Sequence, residues 1–384
     1  MFFEEFTDPI MPERREPEEE KVRYSDPELA RTLDRVATRY PYYKKGAEGF
    51  MKYAQRAIKH SEETDSEHTA KLSNIAAEIE ELKSVIAKLQ QQQWSLIHKC
   101  MIDIVTVVFE QELSVLKLQA QSIDLYCRHI GVRNIYVVVN DVETVAQKID
   151  PDWWGEFAPQ VFIVPWSVFS AEFTNNGWVS QQALKILTAS ISYNAWSMIL
   201  DAKTIFVKEL TPAEIVDSQG RIRVGSMPLY PVFEPSKLIV NELYKIELDS
   251  QLGPGGVPFF FHNDTVRLMI AETAFATKKS FPVWFQEQGM LTEFVLYSGF
   301  LKYRFGGYDV FYSSTNAVFP CNICHSETAR FDAKLQEMQQ PNINTVSIHR
   351  QAWTQLSSTQ QQQYRDFLIS CSISTATELW EHFV

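Results

Sequence analysis

Four short apolar runs rich in β-branched residues constrain this chain more than any other feature. They are Ile102 to Phe109, Asn134 to Asp141, Val161 to Pro165 and Ser197 to Leu200. Helical periodicity runs from Leu113 to Ile130, ended by Gly131, and again from Trp178 to Tyr193. Strands and helices alternating at this spacing imply right-handed βαβ units and a mostly parallel sheet. The fourth run ends in Asp201, is broken by Ala202 and resumes through Lys208. Such a run is a central strand buried on both faces, and its carboxyl end is where open α/β sheets hold ligands. Asp201 is therefore the first candidate functional residue.

Beyond Lys208 the pattern is less regular. Gly253-Pro254-Gly255-Gly256 reads as a tight turn, and His262-Asn263-Asp264-Thr265 can cap a helix from Val266 to Thr277. Thr292 to Arg304 reads as a helix, Tyr308 to Tyr312 and Thr345 to Ile348 as strands, and Thr359 to Ser370 as a last helix. Before the first strand, residues 1–25 are rich in Glu, Pro and Arg and form an acidic tail too polar to order itself. Residues 26–99 read as a helical arm, opened by the cap Asp26-Pro27. Within it Leu72, Ile75, Ile79, Leu82, Ile86, Leu89 and Leu96 keep a heptad seam, so a coiled coil is expected over 69–97. Ile at a and Leu at d favour a two-stranded parallel coil, giving a homodimer or a helical partner through 72–96; a single amphipathic helix packed on its own domain fits the same pattern.

A net charge of -12 argues against broad attraction to nucleic acid. The chain has no apolar run of the length a spanning helix needs and no basic, apolar leader at its start, so no membrane span and a cytoplasmic location are expected. Five cysteines, an odd and small number, suit a reducing compartment without a disulfide framework. Cys321-Asn322-Ile323-Cys324-His325 matches a haem-attachment spacing, but that chemistry requires export, and packing is the expectation there.

Several pieces, in order, resemble a GT-A-type glycosyltransferase, specifically a group of GT-A-like proteins of bacteria and marine viruses. Gly177-Trp178-Val179-Ser180-Gln181-Gln182-Ala183-Leu184-Lys185 is similar to that group's Gly-Trp-x-x-Gln-Gln-x-x-Lys segment, and Leu200-Asp201-Ala202-Lys203 stands where GT-A enzymes carry Asp-x-Asp. The first strand and helix, Thr292 to Tyr297 and Ser347-Ile348-His349-Arg350 complete the resemblance over about 101–355. It implies a GT-A-like, Rossmann-like domain over 100–384, with a mostly parallel sheet flanked by helices and the helical, coiled-coil arm before it.

The resemblance also implies a nucleotide-sugar donor and a glycan or other hydroxyl acceptor. A divalent ion, manganese or magnesium, would be held by Asp201 and His349 and would neutralise the departing diphosphate. Lys203 replaces the second acid of the motif, so metal dependence stays open: the ammonium itself can sit against phosphate. Lys185, Gln181 and Gln182 are expected at donor phosphate or sugar, with Thr106, Glu110, Asn140 and Asp141 at the nucleotide. Glu293 is the expected base at the acceptor hydroxyl. The expectation is thus a glycosyltransferase, or else a non-catalytic GT-A-like protein, such as a viral assembly component in a virion or host cytoplasm, working through its coil.

Overall fold

The computed structural model describes residues 102–139, 145–169, 177–225, 227–252, 256–314 and 319–374. The tail, the helical arm and its coil, Asn140, Asp141 and most of the Gly253–Gly256 turn lie outside the described residues.

The expected mixed α/β architecture is present. Strands β1 (Ile102–Val108), β2 (Val132–Val139), β3 (Val161–Pro165) and β4 (Trp196–Asp201) pair in parallel in the order β3-β2-β1-β4. All seven residues of β1 are buried, as a two-sided central strand requires. A fifth strand, β6 (Phe259–His262), closes the β4 edge antiparallel. Between β4 and β6 comes the short β5 (Ile205–Phe206), so the run from Ser197 to Lys208 is not one strand. Thr204 N–H turns back to the Asp201 carbonyl at 2.8 Å, and the chain leaves the main sheet there. β5 joins a second sheet with β7 (Phe319–Ile323) and β8 (Ile343–Ile348).

Helix α1 (Leu113–Tyr126) packs against β5, and α2 (Gly177–Ile191) packs on β1 and β4. Leucine, alanine and isoleucine in each are buried, and α2 is buried all round from Gln182 to Ala189. α1 stops four residues before the expected Ile130, because the Cys127 N–H closes on Ile123 and a turn delivers Gly131, at φ 72°, to the start of β2. The order β1, β2, β3 runs outward on one side and β4 returns on the other. The strand order therefore reverses between β1 and β4, and the crevice beyond their carboxyl ends is the topological switch point.

The later elements α3 (Glu234–Tyr244), α4 (Asn263–Thr277), α5 (Phe281–Glu287), α6 (Glu293–Phe305), α7 (Phe331–Met338) and α8 (Ser358–Ser370) complete the domain. Tyr308 to Tyr312 is a turn rather than a strand; only Tyr312–Ser313 pairs, with Ile222–Arg223. α6 begins one residue later than expected, since Thr292 is its cap and its Oγ1 accepts from the Val295 N–H. α6 lies close on α3 at Gly299, where a Cβ would stand 2.1 Å from Val240 Cγ1. Among the described residues no helix is long and apolar enough to cross a membrane.

His262 sits where β6 meets α4, its ring between Trp196 and Phe311, with Nδ1 2.9 Å from Thr265 Oγ1. Burial lowers its pKa to about 4, with Arg267 adding to the effect and Asp264 opposing it. A histidine depressed in the fold takes its proton first in the unfolded chain, so stability falls as pH drops below the ordinary histidine value. Between about pH 7 and pH 5 this residue alone is expected to remove about 2 kcal/mol. Urea denaturation at the two pH values should show that difference shrinking in His262→Phe.

Candidate active site

The carboxyl end of β4 gathers four charged groups from three places in the chain. Asp201 Oδ1 accepts from Lys185 Nζ of α2 at 2.7 Å, and Oδ2 accepts from Lys203 Nζ at 2.9 Å. Lys185 also donates to Glu293 Oε1, at the start of α6, at 2.9 Å. The Gln182 amide, one turn before Lys185, turns its nitrogen to the same Glu293 carboxylate. Lys185 is 2% exposed and Glu293 is fully enclosed, whereas the Asp201 and Lys203 side chains are 24% and 23% exposed. An inner ion pair thus backs an outer one, and only the outer pair meets the crevice.

The turn that carries Asp201 is fixed from below. Gln119 of α1 donates to the carbonyls of Asp201 and Thr204 at 2.7 and 3.1 Å, and accepts from Thr106 Oγ1 of β1 at 2.8 Å. Thr106 is buried inside the sheet, so its link to the site runs through Gln119. Gln119 was legible only as a lone amide on the buried face of α1, between Leu116, Leu118 and Ala120.

Burial alone would favour protonated Asp201, but the two ammonium groups outweigh it and hold the carboxyl well below the usual carboxylate range. Burial would likewise discharge Lys185, and Asp201 with Glu293 reverse that, raising its pKa. Lys203 is raised against burial by Asp201 and then Glu112. Glu293 is raised, because its full enclosure exceeds what Lys185 returns. Glu112, which sequence reasoning passed over in favour of its neighbour, follows β1 at the switch point. Its Oε2 is enclosed without a hydrogen-bond partner among the described residues, and burial raises its pKa against the pull of Lys203. It therefore binds a proton more tightly than an exposed glutamate does.

The remaining expected residues are placed as follows. Gln181 is half-buried in the first turn of α2, beside exposed Trp178. Glu110 is exposed and pairs with Lys148. Glu293, expected at an acceptor, instead faces inward onto Lys185 and Gln182. His349 ends β8 and is exposed; its Nδ1 accepts from the Gln351 N–H at 3.2 Å. Burial, then Lys203 and Arg350, lower its pKa, with His325 adding to them and Asp201 opposing.

These residues do not fit a divalent ion held by Asp201 and His349. Both Asp201 oxygens already accept from ammonium groups, and among the described residues no group of three His, Cys, Asp or Glu side chains could hold an ion. What the arrangement offers is a carboxylate for hydroxyl groups and a quarter-exposed ammonium for an anion.

Solved structures similar to this chain include the galactosyltransferase LgtC in complex with donor and acceptor sugar analogues, at 10% identity and a TM-score of 0.39, over 70% of this chain and 95% of that one. The glycosyltransferase GlyE of Streptococcus pneumoniae matches at 12% identity and a TM-score of 0.37, over 73% and 64%. Mouse xyloside xylosyltransferase 1 matches at 10% identity and a TM-score of 0.33, over 64% and 97%. No curated protein sequence matches the chain. The model of one family, described as a family of unknown function (DUF6492), matches residues 77–366, most of the chain, and the chain belongs to that family.

Proposed function

We propose that this chain is a glycosyltransferase that takes its sugar from a nucleotide-sugar donor and passes it to a hydroxyl acceptor. The observation that carries the reading is Asp201 at the carboxyl end of β4, beside the switch point, with one ammonium behind it and one facing the crevice. It supports the motif resemblance independently, since the resembling segments around Lys185, Asp201 and Glu293 meet in one cluster.

Transfer breaks the bond between the sugar's anomeric carbon and the diphosphate oxygen, which keeps the electron pair, while the acceptor oxygen bonds to that carbon and its proton passes to the departing diphosphate or to water. A positioned cation there lowers the barrier. In this reading Lys203 faces the diphosphate and Asp201 accepts from donor sugar hydroxyls. Lys185 and Glu293 are positioning residues: the first holds Asp201, and the second, with Gln182, holds the first.

A melting-temperature screen of nucleotide sugars tests this, because a ligand bound only by the folded chain raises the transition by mass action. At least one donor is expected to raise it in the wild type and not in Asp201→Asn. Failure of every donor would reject the reading. A shift without sugar transfer to any acceptor or to water would favour the non-catalytic alternative.

A further inference from the structure

We infer that the donor diphosphate is bound by Lys203 as the site's resident cation, without a divalent ion. The inference rests on the glycosyltransferase reading above and specifies how that site meets its ligand's charge.

A divalent ion would approach Asp201 at roughly 2.0–2.6 Å from an oxygen. Both oxygens already have an ammonium at hydrogen-bond distance, 2.7 and 2.9 Å away. Displacing Lys185 would uncover the Glu293 carboxylate in a fully enclosed place, which is costly. Displacing Lys203 would set a doubly charged ion beside Lys185 on one carboxylate, three positive charges where there are now two. The pair therefore already fills the electrostatic place of the ion.

Lys203 is also free to act outward. Among the described residues its only hydrogen bond is to Asp201, so two of its three N–H donors remain for the crevice. Asp201 keeps its charge partner in Lys185 when Lys203 is shared with phosphate. The ammonium is not interchangeable with an alkyl group there, because its bond to phosphate is charge-assisted on both sides.

The test is calorimetric titration of the intact chain with uridine, guanosine and adenosine diphosphates, once in EDTA and once in excess manganese. The binding diphosphate is expected to have the same Kd in both buffers to within about threefold. Lys203→Ala is expected to weaken it about tenfold or more in EDTA, and Lys203→Arg to keep most of it. Binding seen only with manganese, or unchanged in Lys203→Ala, would overturn the inference while leaving the glycosyltransferase reading standing. No binding in either buffer would overturn that reading too. The manganese comparison uses the wild type alone, so it decides even if the alanine variant fails to fold.

Discussion

Replacing Lys185 by methionine is expected to destabilise the chain by about 3–5 kcal/mol, because it leaves the buried Glu293 carboxylate without its cation. Lys185 is 2% exposed, and Glu293 has no access to water that could compensate for the loss. The midpoint of urea denaturation reports the cost. Its pH dependence identifies the cause. In the wild type, Asp201 is depressed, so its contribution is complete above the ordinary carboxylate range and is lost only as acid protonates it in the fold. Lys185 is raised, so its contribution is complete below the ordinary lysine range and is lost only in strong base. The contributions of Asp201 and Lys185 are therefore flat near neutrality, whereas the raised Glu293 costs stability as pH rises above the ordinary glutamate range. In Lys185→Met the unpaired Glu293 carboxyl gains proton affinity, and folding takes up a proton. The variant's deficit should shrink on going from about pH 8 to about pH 5. A second variant, Lys185→Met with Glu293→Gln, removes the stranded charge and should recover part of the stability at neutral pH.

Lys203→Ala is expected to have the opposite profile: little change in stability and a loss of about 10²–10³-fold in kcat. Lys203 and Lys185 grip the same carboxylate at nearly the same distance, yet only Lys203 meets the crevice. A quarter-exposed pair of this kind contributes about 1 kcal/mol or less to folding. In the proposed glycosyltransferase reading its ammonium instead meets the charge that grows on the leaving diphosphate as the glycosidic bond breaks. Steady-state turnover with the donor that raises the melting temperature, measured alongside denaturation, separates the two lysines. An equal loss of stability in both variants would remove the distinction between the inner and outer pair.

The main sheet was legible because its strands are β-branched runs with few competing signals. Ile104 to Val108 and Val137 to Val139 are apolar at every position except Thr106. The place of Asp201 followed from that. β6 was missed because Phe259-Phe260-Phe261 lies between a Gly-Pro-rich loop and a helix cap, with no alternation to show it. α3, α5 and α7 were missed because they are short, 11, 7 and 8 residues, too few turns for a helical period to stand out.

The cluster itself could be named residue by residue but not assembled. Lys185, Asp201 and Glu293 were each singled out, yet nothing in a linear pattern says that one lysine bridges carboxylates from β4 and α6. Glu293 shows why. An acidic residue just after a threonine cap has the usual signature of a solvated first helical turn. Here that turn is pressed against α2 and Phe259 stacks on Phe294 at 4.1 Å, so the carboxylate is enclosed and its partner must be too. Glu112 and Gln119 carry no motif, and only their burial beside Asp201 and Lys203 reveals them.

The central claim is that the donor diphosphate lies at the switch point between β1 and β4, against Lys203. A crystal structure with the nucleoside diphosphate that binds most tightly tests it directly. The account predicts phosphate oxygens within hydrogen-bond distance of Lys203 Nζ, beyond the carboxyl ends of β1 and β4, with Lys185 still on Asp201 and Glu293. A nucleotide bound elsewhere, or a diphosphate reached from Asp201 through a metal ion with Lys203 turned away, would contradict it.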